Sequence, residues 1–210
     1  MKAVRIHSFG PPEVISFDHV PKPEPGAREV VVRVNTAGVG PWDALIRSGK
    51  SALWQPLPLI LGSDMSGVVD SLGPSVANLK VGDEVFGVTN EHFTGAYAEY
   101  AVAKASMIAP KPKTLNHSHA ASVPVVAVTA WQMVVDFAQL SSGQAVLIHG
   151  GAGNVGGYAV QLAKRAGVEP DASQLSALEP SVQASEPAFE PLWNAVLERT
   201  RVSFTYRDGR

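Results

Sequence analysis

Four glycines, Gly150, Gly151, Gly153 and Gly156, stand close together in the stretch GQAVLIHGGAGNVGGYAVQLAKRAG that runs from Gly143 to Gly167. The chemistry such a cluster can do is anion binding. The diphosphate of a dinucleotide must come close to bare backbone N–H groups at the positive end of a helix, and a Cβ on the turn would hold it away. Gly150, Gly151, Ala152, Gly153, Asn154, Val155 and Gly156 are therefore the candidate pyrophosphate-binding residues. Glycines also mark ordinary tight turns, so the flanking elements have to decide. Ala145 to His149 is mostly apolar and reads as a buried parallel strand that opens directly into the turn. After the turn, Val155, Ala159, Leu162 and Ala166 hold one apolar helix face, and Gly156 and Gly157 let that helix approach the strand. Gly167 suits a left-handed cap, and Lys164 and Arg165 complement the helix C-terminus. His149 has two readings: a phosphate or ribose contact, or a histidine satisfied by neighbouring backbone.

The chain has 210 residues, room for one large or two small domains with a proper core. With 45% apolar and 17% charged residues it has a globular composition, and a net charge of −2 gives no electrostatic reason to expect nucleic acid or an anionic membrane as partner. No cysteine is present, which excludes disulfides, thiol catalysis and cysteine-ligated metal and fits a reducing compartment. The opening MKAVRIHSFG lacks the apolar core of a secretory signal, and no stretch approaches about 18 consecutive apolar residues. A cytoplasmic protein without a membrane span is expected.

Residues 1 to about 110 punctuate like a β-rich, barrel-like domain. Strands are expected at Ala3 to His7, Glu29 to Asn35, Gly67 to Leu72, Glu84 to Val88 and Tyr97 to Ala103, between turn clusters rich in Gly and Pro. One helical turn should interrupt them, with Pro41 at its first position, Asp43 in its first turn and its end at Ser48-Gly49. Asn116 is placed to cap a short helix. A longer one should run from Pro124 to about Leu140, with Val128, Trp131, Val135 and Phe137 or Ala138 on its apolar side.

Six blocks, AGVGPWDALIRSG (37 to 49), PLILGSDMSGVV (58 to 69), LKVGDEVFG (79 to 87), GAYAEYAVA (95 to 103), AASVPVVAVTAW (120 to 131) and the glycine turn, stand in the order seen in medium-chain dehydrogenases/reductases. Residues 1 to 167 most resemble the zinc-independent quinone oxidoreductase branch of that superfamily. The resemblance implies an α/β fold with a β-rich part: a GroES-like barrel domain leading into a Rossmann domain, incomplete in this chain. It implies NADPH or NADH as cofactor, a quinone or α,β-unsaturated carbonyl as substrate, and usually a homodimer. The zinc-dependent branch carries a cysteine where this chain has Gly40 and a histidine where it has Ser63, so no zinc is expected. Hydride donation by the cofactor to an electron-poor acceptor is then the chemistry left, and no catalytic residue is assigned. Asp43 and Arg47 match the last two landmarks of the family's Asn-x-x-Asp-x-x-x-Arg pattern, while Gly40 replaces its asparagine and Leu45 a common tyrosine. Asp43 is thus either a nicotinamide-side residue or a helix-start residue. Thr129 matches a threonine near the nicotinamide, against the alternative of a helix hydroxyl bonded to its own turn.

Other residues have plainer alternatives. His117 and His119 point two ways from a helix start, so surface or capping roles outweigh a metal pair. Trp42, Trp54, Phe93 and Tyr97 either wall a substrate slot or belong to the core. After Gly167 the resemblance ends. Residues 168–191 hold four prolines and five acids in 24 positions, an acidic extended linker in which no strand presents Asp171 or Glu179 to a ribose. Then LWNAVLERT reads as a helix, RVSFTYR as an alternating strand and Asp208-Gly209 as a hairpin turn, weakly resembling the start of a WYL domain. The expected domains are 1–122, GroES-like; 123–167, linking helix and first Rossmann strand-turn-helix; 168–191, linker; and 192–210, a foreign or truncated tail. On this reading the chain is truncated and impaired as an enzyme. The alternative is a non-catalytic remnant or binding partner of a full-length subunit.

Overall fold

In the computed structural model, residues 1–53, 55–168 and, by backbone alone, 203–205 are described. The chain divides into two compact units, Met1–Val125 and Val126–Arg210. The first contains, in order, β1 (Lys2–Ile6), β2 (Ile15–His19), β3 (Glu29–Ala37), α1 (Pro41–Arg47), β4 (Leu59–Ile60), β5 (Asp64–Leu72), β6 (Glu84–Val88), β7 (Tyr100–Lys104), β8 (Ile108–Pro110) and α2 (His117–Ala121).

These strands form two antiparallel sheets, ordered β2-β1-β4 and β7-β3-β5-β6-β8. β3 lies inside the larger sheet because its β-branched run, Val30, Val31 and Val32, is fully buried, so both of its faces are covered. Val30 and Val32 share their core with Met65, Val69, Val85 and Ile108. Each such side chain contributes roughly 1.5–3 kcal/mol by leaving water. A smaller core of Ile6, Ile46, Leu59 and Leu61, with Phe93 and Tyr97 against it, anchors α1 through Ile46. That anchoring positions the site described below.

The expected strands and the helical turn after Pro41 are all present, with ends displaced by up to three residues. β2 is not among the expected strands. Its apolar residues face outward, Phe17 being 83% exposed, while Ser16 and Asp18 face the neighbouring strand. There Asp18 accepts hydrogen bonds from Ser16 (3.0 Å) and Arg5 (3.3 Å) and lies 2.7 Å from His7 Nε2. The His7 bond, helped by the Ser16 hydroxyl and Arg5, holds the Asp18 carboxyl below its ordinary range. An alternation rule that sends apolar residues inward misreads such an edge strand.

α3 (Pro124–Trp131) is followed by a π-helical segment at Gln132–Phe137, by β9 (Leu147–His149) and by α4 (Asn154–Arg165). The expected apolar side is corrected here: Val128, Trp131, Val135 and Phe137 are exposed, and the buried line is Val126, Ala130 and Val134. Beyond Trp131 a widened turn, in which the Ala138 amide bonds to the Met133 carbonyl, takes Val135 and Phe137 off a 3.6-residue register, whereas Val128 and Trp131 precede it. Ala130, Val134 and Ala159 form a core against which Ile148, Val155 and Leu162 pack. The α4 face therefore follows the expected spacing. Gly167, at φ +83°, ends the helix with paired bonds from Gly167 N–H to Lys164 C=O and from Val168 N–H to Ala163 C=O.

Within the alternating stretch RVSFTYR, β10 (Ser203–Thr205) pairs in parallel with β9, Ser203 beside Leu147 and Thr205 beside His149. A parallel neighbour for β9 among the described residues thus comes from the tail. Trp54, Asp171, Glu179, the LWNAVLERT helix and Asp208-Gly209 lie outside the described residues. Among the described residues no helix is long and apolar enough to cross a membrane.

Candidate functional site

The phosphate turn is built as the sequence indicates. β9 ends at His149, Gly150 turns the chain at φ +68°, and Gly153 takes an extended conformation as the residue before α4. The Gly153 amide closes the turn onto the Gly150 carbonyl at 2.8 Å, and the first α4 bond runs from Gly157 to Gly153 at 2.7 Å. The amides of Asn154, Val155 and Gly156, the orphan donors of a helix start, have no backbone acceptor among the described residues. Gly156 carries the close approach, since a Cβ there would overlap the Gly150 carbonyl oxygen, whereas one at Gly157 would stand 3.6 Å from the Gly151 oxygen. Ala152 and Asn154 are exposed on the turn, and His149 is half-buried. Bare amides and the positive end of a twelve-residue helix suit a phosphate.

In the first unit, α1 and the start of β5 gather a second set of residues. Asp43, only 7% exposed, accepts hydrogen bonds through Oδ2 from the Gly40 amide (2.8 Å) and the Tyr97 hydroxyl (2.9 Å). Its other oxygen, Oδ1, is buried without a hydrogen-bond partner among the described residues. Burial raises the Asp43 carboxyl above its ordinary range, and the Gly40 amide, the Tyr97 hydroxyl and the Gly62 amide pull it back only in part. Asp64 is pushed up to about 6 by burial, against the Val125 amide that donates to it at 2.9 Å, with a further push from the charge of Asp43. Tyr97 is raised as well, by its own burial and then by Asp43 and Asp64.

Trp42 completes the cluster. Its Nε1–H donates to the fully buried Ser63 hydroxyl at 3.0 Å, and its ring meets Phe93 edge-on at 6.5 Å and 60°. The indole lies over Gly40, where any Cβ would overlap its six-membered ring. The two positions read as replaced zinc ligands, Gly40 and Ser63, are thus both occupied by contacts to one aromatic side chain. A backbone glycine and a hydroxyl already engaged by an indole are a poor donor set for zinc.

The remaining candidates have structural partners. Arg47 Nη1 donates to the Gly10 carbonyl at 2.6 Å, tying α1 to the loop after β1. His117 Nδ1 lies 2.8 Å from Ser66 Oγ and its Nε2 3.3 Å from Glu84, while the exposed His119 gives its amide to the Asn116 cap at 2.8 Å. Leu45 is 49% exposed, and Thr129 sits half-buried in α3. Sequence reasoning missed Asp64 and gave Ser63 no positive role. The one signal that pointed to them is the block GSDMSGVV, a buried strand that opens with a hydroxyl and a carboxylate.

The family described as Alcohol dehydrogenase GroES-like domain matches residues 26–113. A quinone oxidoreductase of Mus musculus is 36% identical over 170 residues, which are 80% of this chain and 51% of that protein. The structure of the quinone oxidoreductase from Coxiella burnetii superposes with a TM-score of 0.73 at 38% identity, covering 80% of this chain and 54% of that one. A mycobacterial protein, Rv1454c, solved in complex with NADPH, superposes with a TM-score of 0.70 at 33% identity over 80% of this chain and 51% of its own. The chain spans about half the length of the curated relatives it matches. Residues 26–113 thus form an alcohol dehydrogenase GroES-like domain, and with the strand-turn-helix that follows it the chain is similar to quinone oxidoreductases over 80% of its length.

Proposed function

We propose that this chain is part of an NAD(P)H-dependent, zinc-free reductase that delivers hydride to a quinone or an α,β-unsaturated carbonyl. The observation that carries the reading is the bend at Gly150 to Asn154, with amides at the head of α4 that have no backbone acceptor among the described residues and Gly156 packed on the Gly150 carbonyl. Gly150 to Gly156 hold the pyrophosphate, and Thr129 and Asp43 remain the proposed nicotinamide-side residues. Asp43 also braces Gly40 and Tyr97 within its own unit. When bound, the nicotinamide supplies the hydride. The protein supplies position and an acceptor pocket in which charge arriving on oxygen meets hydrogen-bond donors in place of a metal. The proposed domains are 1–122, GroES-like, and 123–167, the opening of the Rossmann domain. The location is proposed as cytoplasmic and the assembly as a homodimer. Spanning half of its relatives, the chain is proposed to bind cofactor with weak turnover of its own.

Titration of NADPH against the purified chain, followed by cofactor fluorescence, tests the reading. Saturable binding is expected, and Ala152→Glu, which places a charge on the exposed turn, should weaken it at least about tenfold, or about 1.4 kcal/mol. Binding that ignores the added charge would remove the turn from the cofactor site.

A further inference from the structure

Resting on that reading, we propose that the Trp42 indole, backed by Phe93, is the wall on which the acceptor stacks, and that it selects flat aromatic quinones over aliphatic enones. Three constraints hold the ring. Gly40 leaves no Cβ beneath it, so the indole lies against backbone where a side chain at that position would project. The bond from Nε1 to Ser63 Oγ, 3.0 Å long and anchored on a residue with no exposed surface, fixes its rotation. Phe93 supports it from the edge.

Phe93 itself sits at φ +58°, in the left-handed region that bulky side chains avoid. Such a conformation persists where its surroundings over-determine it, and it recurs at ligand-contacting positions. Here the Phe93 amide is tied to the Asn90 carbonyl at 3.2 Å, and the ring is packed with Tyr97 on the Ile6–Ile46 core. Trp42 itself is half-buried, so the residue stays partly open to solvent. The charges nearby are carboxyls, Asp43 and Asp64, both driven toward their neutral forms by burial. A neutral, electron-poor aromatic ring suits such a surface. An electron-rich indole face attracts it, whereas a small aliphatic enone offers no comparable π-face.

The test is binding of 9,10-phenanthrenequinone and of 2-cyclohexen-1-one to the full chain, by equilibrium dialysis, in wild type, Trp42→Ala, Trp42→Phe and Gly40→Ala. Trp42→Ala should raise the Kd for the quinone about tenfold and leave that for the enone within about twofold, with Trp42→Phe between wild type and Trp42→Ala. Gly40→Ala, which displaces the indole without deleting it, should act in the same direction as Trp42→Ala. Far-UV ellipticity and thermal melting check that each variant is folded, and Trp42→Phe and Gly40→Ala each keep the test open if Trp42→Ala does not fold. Equal effects on both ligands, unchanged quinone binding, or no saturable quinone binding to wild type would overturn the proposal. NADPH binding, read separately at the glycine turn, tells its failure apart from failure of the reductase reading.

Discussion

Asp64→Asn should make the first unit more stable at neutral pH and leave it unchanged in acid. Asp64 is 5% exposed, and its carboxyl gives up its proton at about 6 in the folded chain, against 3.8 ordinarily. The folded state thus holds this proton more tightly than the unfolded one, so the stabilisation is present below pH 3.8 and is lost as pH rises through 6. At about 1.4 kcal/mol per pH unit the loss comes to about 3 kcal/mol. Asparagine keeps an oxygen for the Val125 amide, removes the buried charge and ends its repulsion with Asp43. Urea unfolding of wild type and Asp64→Asn between pH 4 and 7.5, followed by the near-ultraviolet signal of the ordered aromatic residues, should show a difference near zero at pH 4 that grows to a few kcal/mol at pH 7. A difference that stays flat over this range, or a variant less stable at pH 7, would refute the buried-carboxylate argument.

Tyr97→Phe deletes one of the two hydrogen bonds to Asp43 Oδ2 and leaves that buried oxygen with the Gly40 amide; a loss of about 1–3 kcal/mol in urea stability is expected. Gly156→Ala places a Cβ on the Gly150 carbonyl, where neither backbone can yield cheaply, and should cost about 1–3 kcal/mol in the melting of α4 and weaken NADPH in parallel.

The glycine turn was legible because independent local signals agreed. Bare glycines, the Val155–Ala159–Leu162 face and a left-handed Gly167 all report on residues within one strand-turn-helix, and the structure keeps them, while the buried strand expected over Ala145 to His149 is shorter, Leu147–His149, with Ala145 and Leu147 exposed. The N-terminal strands were legible for the same reason, since Val30 to Val32 and Val85 carry β-branched runs into the core. What stayed hidden was made by distance or by a broken period. Trp42 and Ser63 are 21 positions apart, and Asp43 and Tyr97 are 54 apart, so no local spacing announces either bond. β2 turns its polar residues inward to satisfy Arg5 and His7, and the π-helical turn at Gln132–Phe137 breaks the 3.6-residue period only for Val135 and Phe137.

The central claim is that the amides at the head of α4 receive a dinucleotide pyrophosphate. It is tested most directly by amide chemical-shift mapping of the isotope-labelled chain during NADPH titration. The claim predicts saturable shifts concentrated at Gly150 to Gly156, the amides left without backbone acceptors included. Saturable binding whose shifts fall elsewhere, or no shift at these amides at millimolar NADPH, would contradict it.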